Sequence, residues 1–162
     1  MNLGVVFNDS SLLITFLASF LIWFMLGGLV ILWVIDGRVK REQALHGFLA
    51  VILSYLICSM VKSLFPSFRP FEQYGILPLT ITIPSINSSF PSAHSAIAFA
   101  MATSIWIHNK KLGIRFLILA FFVALGRILS GVHFAHDVVV GALIGVFVSH
   151  LIKRLHVFKL VE

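Results

Sequence analysis

Cysteine and charged residues are both scarce in this sequence of 162 residues. Its single cysteine excludes a framework of intrachain disulfides and a zinc site built from thiolates. Only 11% of the residues are charged, whereas soluble domains carry about 25%. In a soluble fold of this size, so little polar surface could not cover the 59% of residues that are hydrophobic. The composition therefore predicts an integral membrane protein.

Acidic residues are especially few, with six Asp and Glu against twelve Lys and Arg, for a formal net charge of +6. A basic balance can indicate nucleic-acid binding. Here long apolar runs separate the cations and leave no continuous groove for a phosphate backbone, so we expect no nucleic-acid partner. The few carboxylates form no cluster of the kind that holds magnesium, and we predict neither a metal nor a cofactor.

Long apolar runs make up most of the chain and predict an all-α, polytopic membrane bundle of about five transmembrane helices. The prolines lie only between residues 66 and 91. This makes 63–90 the one substantial loop and puts Pro91 in the first turn of the next helix. We expect residues 1–162 to form a single membrane-embedded domain. The predicted spans are 11–35, 43–61, 91–107, 112–131 and 138–152.

Nine of the twelve cations form three clusters, which five helices would bring to the same side of the membrane. The positive-inside rule makes that side cytoplasmic. We therefore predict a multi-pass protein of the cell membrane with its N-terminus outside and its C-terminus in the cytoplasm. The clusters are Arg38, Lys40 and Arg41; Lys110, Lys111 and Arg115; and Lys153, Arg154 and Lys159.

The three remaining cations, Lys62, Arg69 and Arg127, fall on the opposite side, and helix geometry puts other polar residues beside them. His94, Arg127 and Asp137 each lie 16 residues from a lysine of a basic cluster, and a helix of that length rises about 24 Å. Lys62 lies 21 residues beyond the first cluster, which corresponds to about 31 Å. We expect these residues to share one layer near the extracytoplasmic face and to form a site there.

Cations that share a layer with little acidic charge require an anion, and phosphate fits arginine and lysine best. Each cation alone could also be an interfacial anchor. The start of the helix that follows the loop is a second candidate binding site for an anion. Ser88 or Ser89 can cap that helix, while the small residues Ser92 and Ala93 leave its backbone N–H groups open. An ordinary capped helix is the alternative interpretation.

The histidines of this layer suggest catalysis. His133 and Asp137 are four residues apart, so on a helix they share one face, and the carboxylate can fix the imidazole tautomer. The other ring nitrogen is then free to act as a nucleophile. A plain hydrogen bond at a helix start would give the same spacing. His94, in a first helical turn, can donate a proton to a leaving oxygen, although a lone interfacial histidine can also be structural.

Three groups of these residues follow one another along the chain. They are Lys62, six residues, Arg69 and Pro70; then Pro91, Ser92, Ala93 and His94; then Arg127, five residues, His133, three residues and Asp137. In order and spacing they resemble the three signature motifs of the type 2 phosphatidic acid phosphatase superfamily. The chain departs from the usual family pattern at Gly126, where Ser is common, and at Ala93, where Gly is common. The better-known membrane members also have six helices rather than five.

The resemblance implies a role for each matched residue. His133 would attack phosphorus and form a phosphohistidine, Asp137 would orient it, and His94 would protonate the leaving group. The family needs no metal. Side chains and the backbone amides after Pro91 would hold the phosphoryl oxygens. The residues in this phosphate-binding set are Lys62, Arg69, Ser92, Ala93 and Arg127.

The leading functional hypothesis is therefore a lipid phosphatase whose site opens to the extracytoplasmic side. Short bacterial members of the family often act on undecaprenyl diphosphate, which is the favoured substrate. Phosphatidylglycerol phosphate or phosphatidate is the alternative, and loop 71–90 does not choose between them. From another class, a membrane transporter for a small anion would use intramembrane charges as a binding path. A catalytically inactive scaffold is a third hypothesis, and the oligomeric state is not indicated.

Overall fold

The structure, a computed structural model, describes residues 9–34 and 38–155, and within these ranges it contains helices, turns and loops but no strand. The first three helical stretches run without a break, and we call them together the N-terminal helix (residues 9–34). The elements are α1 Asp9–Thr15, a π-helical stretch Phe16–Phe20, α2 Leu21–Val34, α3 Arg38–Leu64, α4 Pro70–Tyr74, α5 Ala93–His108, α6 Lys110–Leu129 and α7 Ala135–Arg154.

Four helices within the described ranges are long and apolar enough to cross a membrane: Ser10–Val34, Arg41–Leu64, Lys110–Leu129 and Ala135–Arg154. This confirms the all-α, polytopic fold class. The fifth expected span corresponds to α5, whose 16 residues rise only about 24 Å against a hydrocarbon core of about 30 Å. The count of five transmembrane helices therefore stays a prediction.

Helix α5 lies at the centre of the bundle and packs against α3, α6 and α7. Its sequence explains this position, because the small residues Ala96, Ala98, Ala100 and Ala102 are fully buried and let neighbouring helices approach closely. A helix enclosed by protein does not need the continuous apolar surface that lipid requires. The central position of α5 is thus compatible with its short length of 16 residues.

Helix α7 approaches α5 so closely that two glycines of α7 leave no room for a side chain. A Cβ at Gly141 would lie 2.3 Å from the carbonyl oxygen of Ser92, and a Cβ at Gly145 would lie 2.2 Å from that of Ala96. The N–H of Ser92 also donates to the backbone carbonyl of Asp137 at 3.0 Å. These contacts fix the first turns of α5 and α7 against each other.

The helix bounds differ from the expected ones at several ends. Helix α3 begins at Arg38 rather than residue 43, because polar residues continue the helix beyond its apolar run. Pro91 lies ahead of α5 and not in its first turn, since Ser92, with an extended backbone, is the N-cap. The long loop also contains a short helix, α4, which starts at Pro70, where the fixed φ of proline favours a first turn.

Candidate active site

Four helix ends meet at one end of the bundle and carry most of the predicted site. Lys62 lies in the last turn of α3 and Arg127 in the last turn of α6, while His94 and Asp137 lie in the first turns of α5 and α7. A cavity of about 520 Å³ opens among these ends and the loop that follows α3. The predicted site residues that line it are Lys62, Arg69, Ala93, His94, Arg127 and His133.

His133 lies just ahead of α7, in the connection that follows α6, and its side chain is buried. Its N–H donates to the carbonyl of Arg127 at 3.2 Å, which ties the two cavity residues together. Each ring nitrogen lies near a charged group. Nδ1 lies 3.5 Å from Oδ2 of Asp137, and Nε2 lies 3.4 Å from Nη1 of Arg69. Nε2 is therefore the nitrogen on the side of the cationic groups.

The expectation that His133 and Asp137 share a helical face was wrong in its geometry. His133 precedes the N-cap residue Phe134, whose extended backbone begins the helix, and Asp137 is the third residue of α7. The two side chains meet because Asp137 reaches back over this start, with its Oδ2 accepting the N–H of Phe134 at 2.9 Å. The helix-start hydrogen bond and the histidine contact therefore occur together.

Asp137 is fully buried behind the cavity and is held by several donors. Its Oδ2 accepts from the hydroxyl of Ser89 at 2.5 Å, besides the N–H at the helix start. Its Oδ1 lies 3.1 Å from Nε2 of His136, a side chain on the surface. Because 3.5 Å is long for a hydrogen bond, the carboxylate acts on His133 mainly as a nearby negative charge.

Burial determines the charge state of His133, which lies outside the membrane-spanning helices. Burial lowers the pKa of His133 to about 3, the Asp137 carboxylate opposes this shift, and the positive charges of Arg127 and Arg69 lower the pKa further. The imidazole is therefore neutral near pH 7 and keeps a lone pair on one ring nitrogen. This is the state that a nucleophilic histidine requires.

Arg69 joins the two loops that border the cavity. Its Nε donates to the carbonyl of Ser85, its Nη1 to that of Val132 and its Nη2 to that of Ser88, each at 2.9 Å. Its Nη2 also donates to the hydroxyl of Ser88 at 3.1 Å. Burial lowers the pKa of Arg69, while Glu72 and Asp137 oppose this shift. The guanidinium thus shapes the cavity, and its direct contact with phosphate stays a prediction.

Lys62 and Arg127 supply the other two positive charges of the cavity. The ammonium of Lys62 donates to the carbonyls of Ser88 at 2.6 Å and Ser89 at 3.2 Å. Arg127 donates from Nη1 to the carbonyl of Ala18 at 2.9 Å. Its buried Nε–H has no partner within residues 9–34 and 38–155. An unpaired buried donor is costly, and the cationic side chain that carries it lines the cavity.

The start of α5 differs from the expected capped helix. Neither Ser88 nor Ser89 caps it, because the Ser88 hydroxyl donates to the Ser85 carbonyl and the Ser89 hydroxyl donates to Asp137. The N-cap Ser92 is fully buried, accepts from the Ser95 hydroxyl at 3.1 Å and does not line the cavity. A phosphate contact by the Ser92 side chain therefore stays a prediction. The cavity is reached instead by Ala93 and His94, in a turn whose N–H groups lack helical partners.

Several cavity residues carried no signal in the sequence. Ser19 and Trp23 line the cavity from the N-terminal helix, which reads as an uninterrupted apolar span. Residues 80–82, 84 and 85 also line the cavity, and the backbone N of Ile81 lies 3.4 Å from the hydroxyl oxygen of Ser19. In the part of the chain that the structure describes, no group of three or more His, Cys, Asp or Glu residues could hold a metal ion.

Comparison with known proteins identifies the family. Residues 43–160 match the PAP2 superfamily, which is the type 2 phosphatidic acid phosphatase family of the sequence motifs. The chain belongs to the PAP2 superfamily. The resemblance found in the sequence is therefore confirmed, and the chain is a multi-pass membrane protein of this phosphatase superfamily.

Two PAP2 relatives show what this chain is similar to. It is 31% identical over 153 residues to a protein of Bacillus licheniformis named bacitracin transport permease protein BcrC, covering 90% of this chain and 71% of the relative. It is 24% identical over 127 residues to undecaprenyl-diphosphatase BcrC of Bacillus subtilis, covering 78% of this chain and 64% of the relative. The chain is thus shorter than both relatives.

Two solved structures share the PAP2 fold. The crystal structure of Aquifex aeolicus LpxE aligns with a TM-score of 0.71 and 27% identity, over 91% of this chain and 86% of that chain. A phosphatidylglycerolphosphate phosphatase from Bacillus subtilis aligns with a TM-score of 0.66 and 24% identity, over 94% of this chain and 77% of that chain. At that identity the second likeness establishes the fold alone.

Proposed function

We propose that this PAP2 protein hydrolyses the terminal phosphate of a lipid phosphate or diphosphate through a phosphohistidine on His133, without a metal. The observation that carries the proposal is the placement of the His133 ring. Its Nδ1 faces the Asp137 carboxylate, and its Nε2 faces a cavity that Lys62, Arg69 and Arg127 make positive. A neutral imidazole with one end beside a carboxylate and the other at a cationic cavity with room for a phosphate group is suited to attack phosphorus.

In the first step, the Nε2 lone pair of His133 forms a bond to phosphorus while the bond from phosphorus to the lipid-side oxygen breaks. The departing oxygen takes a proton from the imidazolium form of His94, which becomes neutral, and the His133 ring retains its Nδ1 proton beside Asp137. The negative carboxylate stabilises the positive charge that develops on the phosphorylated ring.

In the second step, water attacks the phosphorus of the phosphohistidine and gives a proton to His94. The phosphorus–nitrogen bond breaks, which returns His133 to its neutral state and releases inorganic phosphate. The equatorial oxygens carry the charge of both transition states, and we assign their stabilisation to Arg127, Lys62 and the backbone N–H groups at Ala93. Ser92 and Arg69 complete the proposed phosphate-binding set.

The cations support an extracytoplasmic site. Arg41, Lys110 and Lys153 are exposed at the end of the bundle opposite the cavity, and the positive-inside rule favours the cytoplasm for that end. With this orientation the N-terminus is outside and the C-terminus cytoplasmic, and the cavity lies at the outer face of the cell membrane.

Undecaprenyl diphosphate is the substrate that we favour, because the relative from Bacillus subtilis is named for that activity. Phosphatidylglycerol phosphate or phosphatidate is the alternative, and a solved neighbour is named as a phosphatidylglycerolphosphate phosphatase. Lipid A is a further candidate, since a relative from Porphyromonas gingivalis, 28% identical over 131 residues, is named lipid A 4'-phosphatase.

A transporter for a small anion remains the alternative from another class, since the relative from Bacillus licheniformis is named a transport permease. Transport sites lie near the bilayer midplane and are formed by interrupted helices. Here the cationic cavity lies at one end of the bundle, and α3, α5, α6 and α7 are each continuous. This arrangement favours hydrolysis at one face over passage across the membrane.

The proposal is tested by phosphate release from lipid substrates in detergent with EDTA present. The panel contains undecaprenyl diphosphate, phosphatidylglycerol phosphate, phosphatidate and lipid A, and we expect the fastest release from undecaprenyl diphosphate. His133→Ala should lower the rate of phosphate release about a hundredfold or more. Lys153→Ala, at the far end of α7, should keep nearly full activity. Wild-type activity of His133→Ala would contradict the nucleophile, and inhibition by EDTA would contradict metal independence.

A further inference from the structure

The N-terminal helix lies outside the matched family region, which begins at residue 43, yet it forms one wall of the cavity. The helix is irregular at this wall. Residues 16–20 are π-helical, and the N–H of Leu21 bonds to the carbonyl of Phe16, five residues earlier. Single π-helical turns within α-helices are rare and occur frequently at functional sites.

The π-helical stretch contacts the site through its backbone. The carbonyl oxygen of Ala18 accepts from Nη1 of Arg127 at 2.9 Å, and both residues are almost completely buried. The contact therefore holds one edge of the guanidinium against the N-terminal helix, and Arg127 is at the same time one of the residues that line the cavity. A planar guanidinium held at one edge keeps a fixed orientation at its other edge, where bidentate contacts with phosphate form.

The close approach of the two helices depends on Gly126, the residue before Arg127. A Cβ at position 126 would lie 2.7 Å from the backbone N of Ala18 and 2.7 Å from the carbonyl carbon of Leu17. Backbone atoms cannot move aside as a flexible side chain can, so any larger residue would push the N-terminal helix away from α6. This is the position at which the resembled family usually has serine, so the substitution permits the contact.

We propose that the π-helical stretch and Gly126 together position Arg127. The Ala18 carbonyl orients the guanidinium so that it can bind phosphate. The inference rests on the proposed function only in taking phosphate as the ligand. It assigns a role in the site to the part of the chain that precedes the matched family region. Gly126 acts through Arg127 and is a positioning residue.

The test is the affinity of the purified full chain for inorganic phosphate, measured by calorimetry in detergent. Gly126→Ala should weaken phosphate binding about tenfold, because it separates the Ala18 carbonyl from Arg127. The matched control is Gly27→Ala, since a Cβ at Gly27 meets nothing within 4 Å. We expect wild-type affinity from this control. Wild-type affinity of Gly126→Ala would overturn the proposal.

A double-mutant cycle separates positioning from a general distortion. Arg127→Lys cannot bridge the carbonyl and the anion with a planar group, and it should also weaken binding. If Gly126 acts through Arg127, the double variant should bind phosphate no more weakly than Arg127→Lys alone. Losses that multiply would show that Gly126 acts elsewhere and would overturn the proposal.

A second perturbation leaves α6 unchanged, in case Gly126→Ala does not fold. Deletion of Phe16, whose side chain is exposed, removes one residue from the π-helical stretch and favours regular α-helical bonding. Phosphate affinity should again fall about tenfold, while Phe16→Ala, which keeps the residue count, should bind normally. Unchanged affinity after the deletion would contradict the proposal. Absence of lipid hydrolysis by a wild-type chain that binds phosphate would overturn the proposed function and leave this inference standing.

Discussion

Replacing Asp137 with asparagine tests how the buried carboxylate contributes to catalysis. The change keeps the size of the side chain and removes its negative charge. In the structure, Oδ2 lies 3.5 Å from Nδ1 of His133 and accepts from Ser89 and from the N–H of Phe134. Asparagine can still accept these hydrogen bonds with one oxygen, so the main loss is the charge beside the imidazole.

The distance between the carboxylate and the imidazole gives the size of the expected loss in kcat. A full positive charge on the ring, 3.5 Å from the carboxylate at an effective dielectric constant of about 20, is stabilised by about 5 kcal/mol. If the whole charge develops in the transition state, kcat falls by about three orders of magnitude, since about 1.4 kcal/mol corresponds to a factor of ten. If half of the charge develops, the loss is about fiftyfold.

The assay compares kcat for phosphate release by Asp137→Asn with that of the wild type, in the same detergent and with thermal unfolding recorded for both. The control is Glu42→Gln, the same chemical change near the opposite end of the bundle, which should leave kcat nearly unchanged. A folded Asp137→Asn variant with less than about a fivefold loss would refute the reasoning, because the charge would then contribute almost nothing.

The remaining predictions concern proton transfer, the charge of the nucleophile and helix packing. His94→Ala should lower phosphate release about a hundredfold or more while Lys153→Ala does not, and equal rates for both would exclude His94 as the acid. Because burial lowers the pKa of His133 to about 3, its ring resonances in NMR spectra should not titrate between pH 5 and 8, whereas a midpoint in that range would show an exposed ring. The unfolded chain binds this proton near pH 6.5 and the folded chain only near pH 3, so the free energy of unfolding should fall as the pH drops from about 6.5 towards 3. Gly141→Ala should lower thermal stability by about 1–3 kcal/mol relative to Gly27→Ala, because its Cβ would lie 2.3 Å from a carbonyl oxygen of α5, and equal melting temperatures would contradict the close packing.

Helix geometry and motif spacing predicted which residues of the site come together. The rise per residue put Lys62, His94, Arg127 and Asp137 in one layer, and these residues do lie at helix ends on one side of the bundle. That inference succeeds because a membrane span has few alternatives to a straight helix of known length. The family followed from the same residues in order.

The backbone contacts of the site could not be predicted from the sequence. The π-helical stretch lies in a run of apolar residues that gives no local signal for π-helical bonding. The contact with Arg127 uses the backbone carbonyl of Ala18, a group that every residue has, so no side chain indicates it. Ser89 was expected at a helix cap but bonds to Asp137, because packing of α5 against α7 brings them together. Contacts of this kind depend on tertiary packing rather than on residue spacing.

Direct detection of the covalent intermediate tests the central claim of the account. The wild-type chain is mixed with a lipid diphosphate labelled at its terminal phosphate, quenched within milliseconds under alkaline conditions and digested for mass spectrometry. The account predicts a phosphoryl group on the imidazole of His133, absent from His133→Ala and accumulating in a variant that is slow in the second step. Phosphate release at full rate with no modified His133, or with the label on another residue, would contradict it.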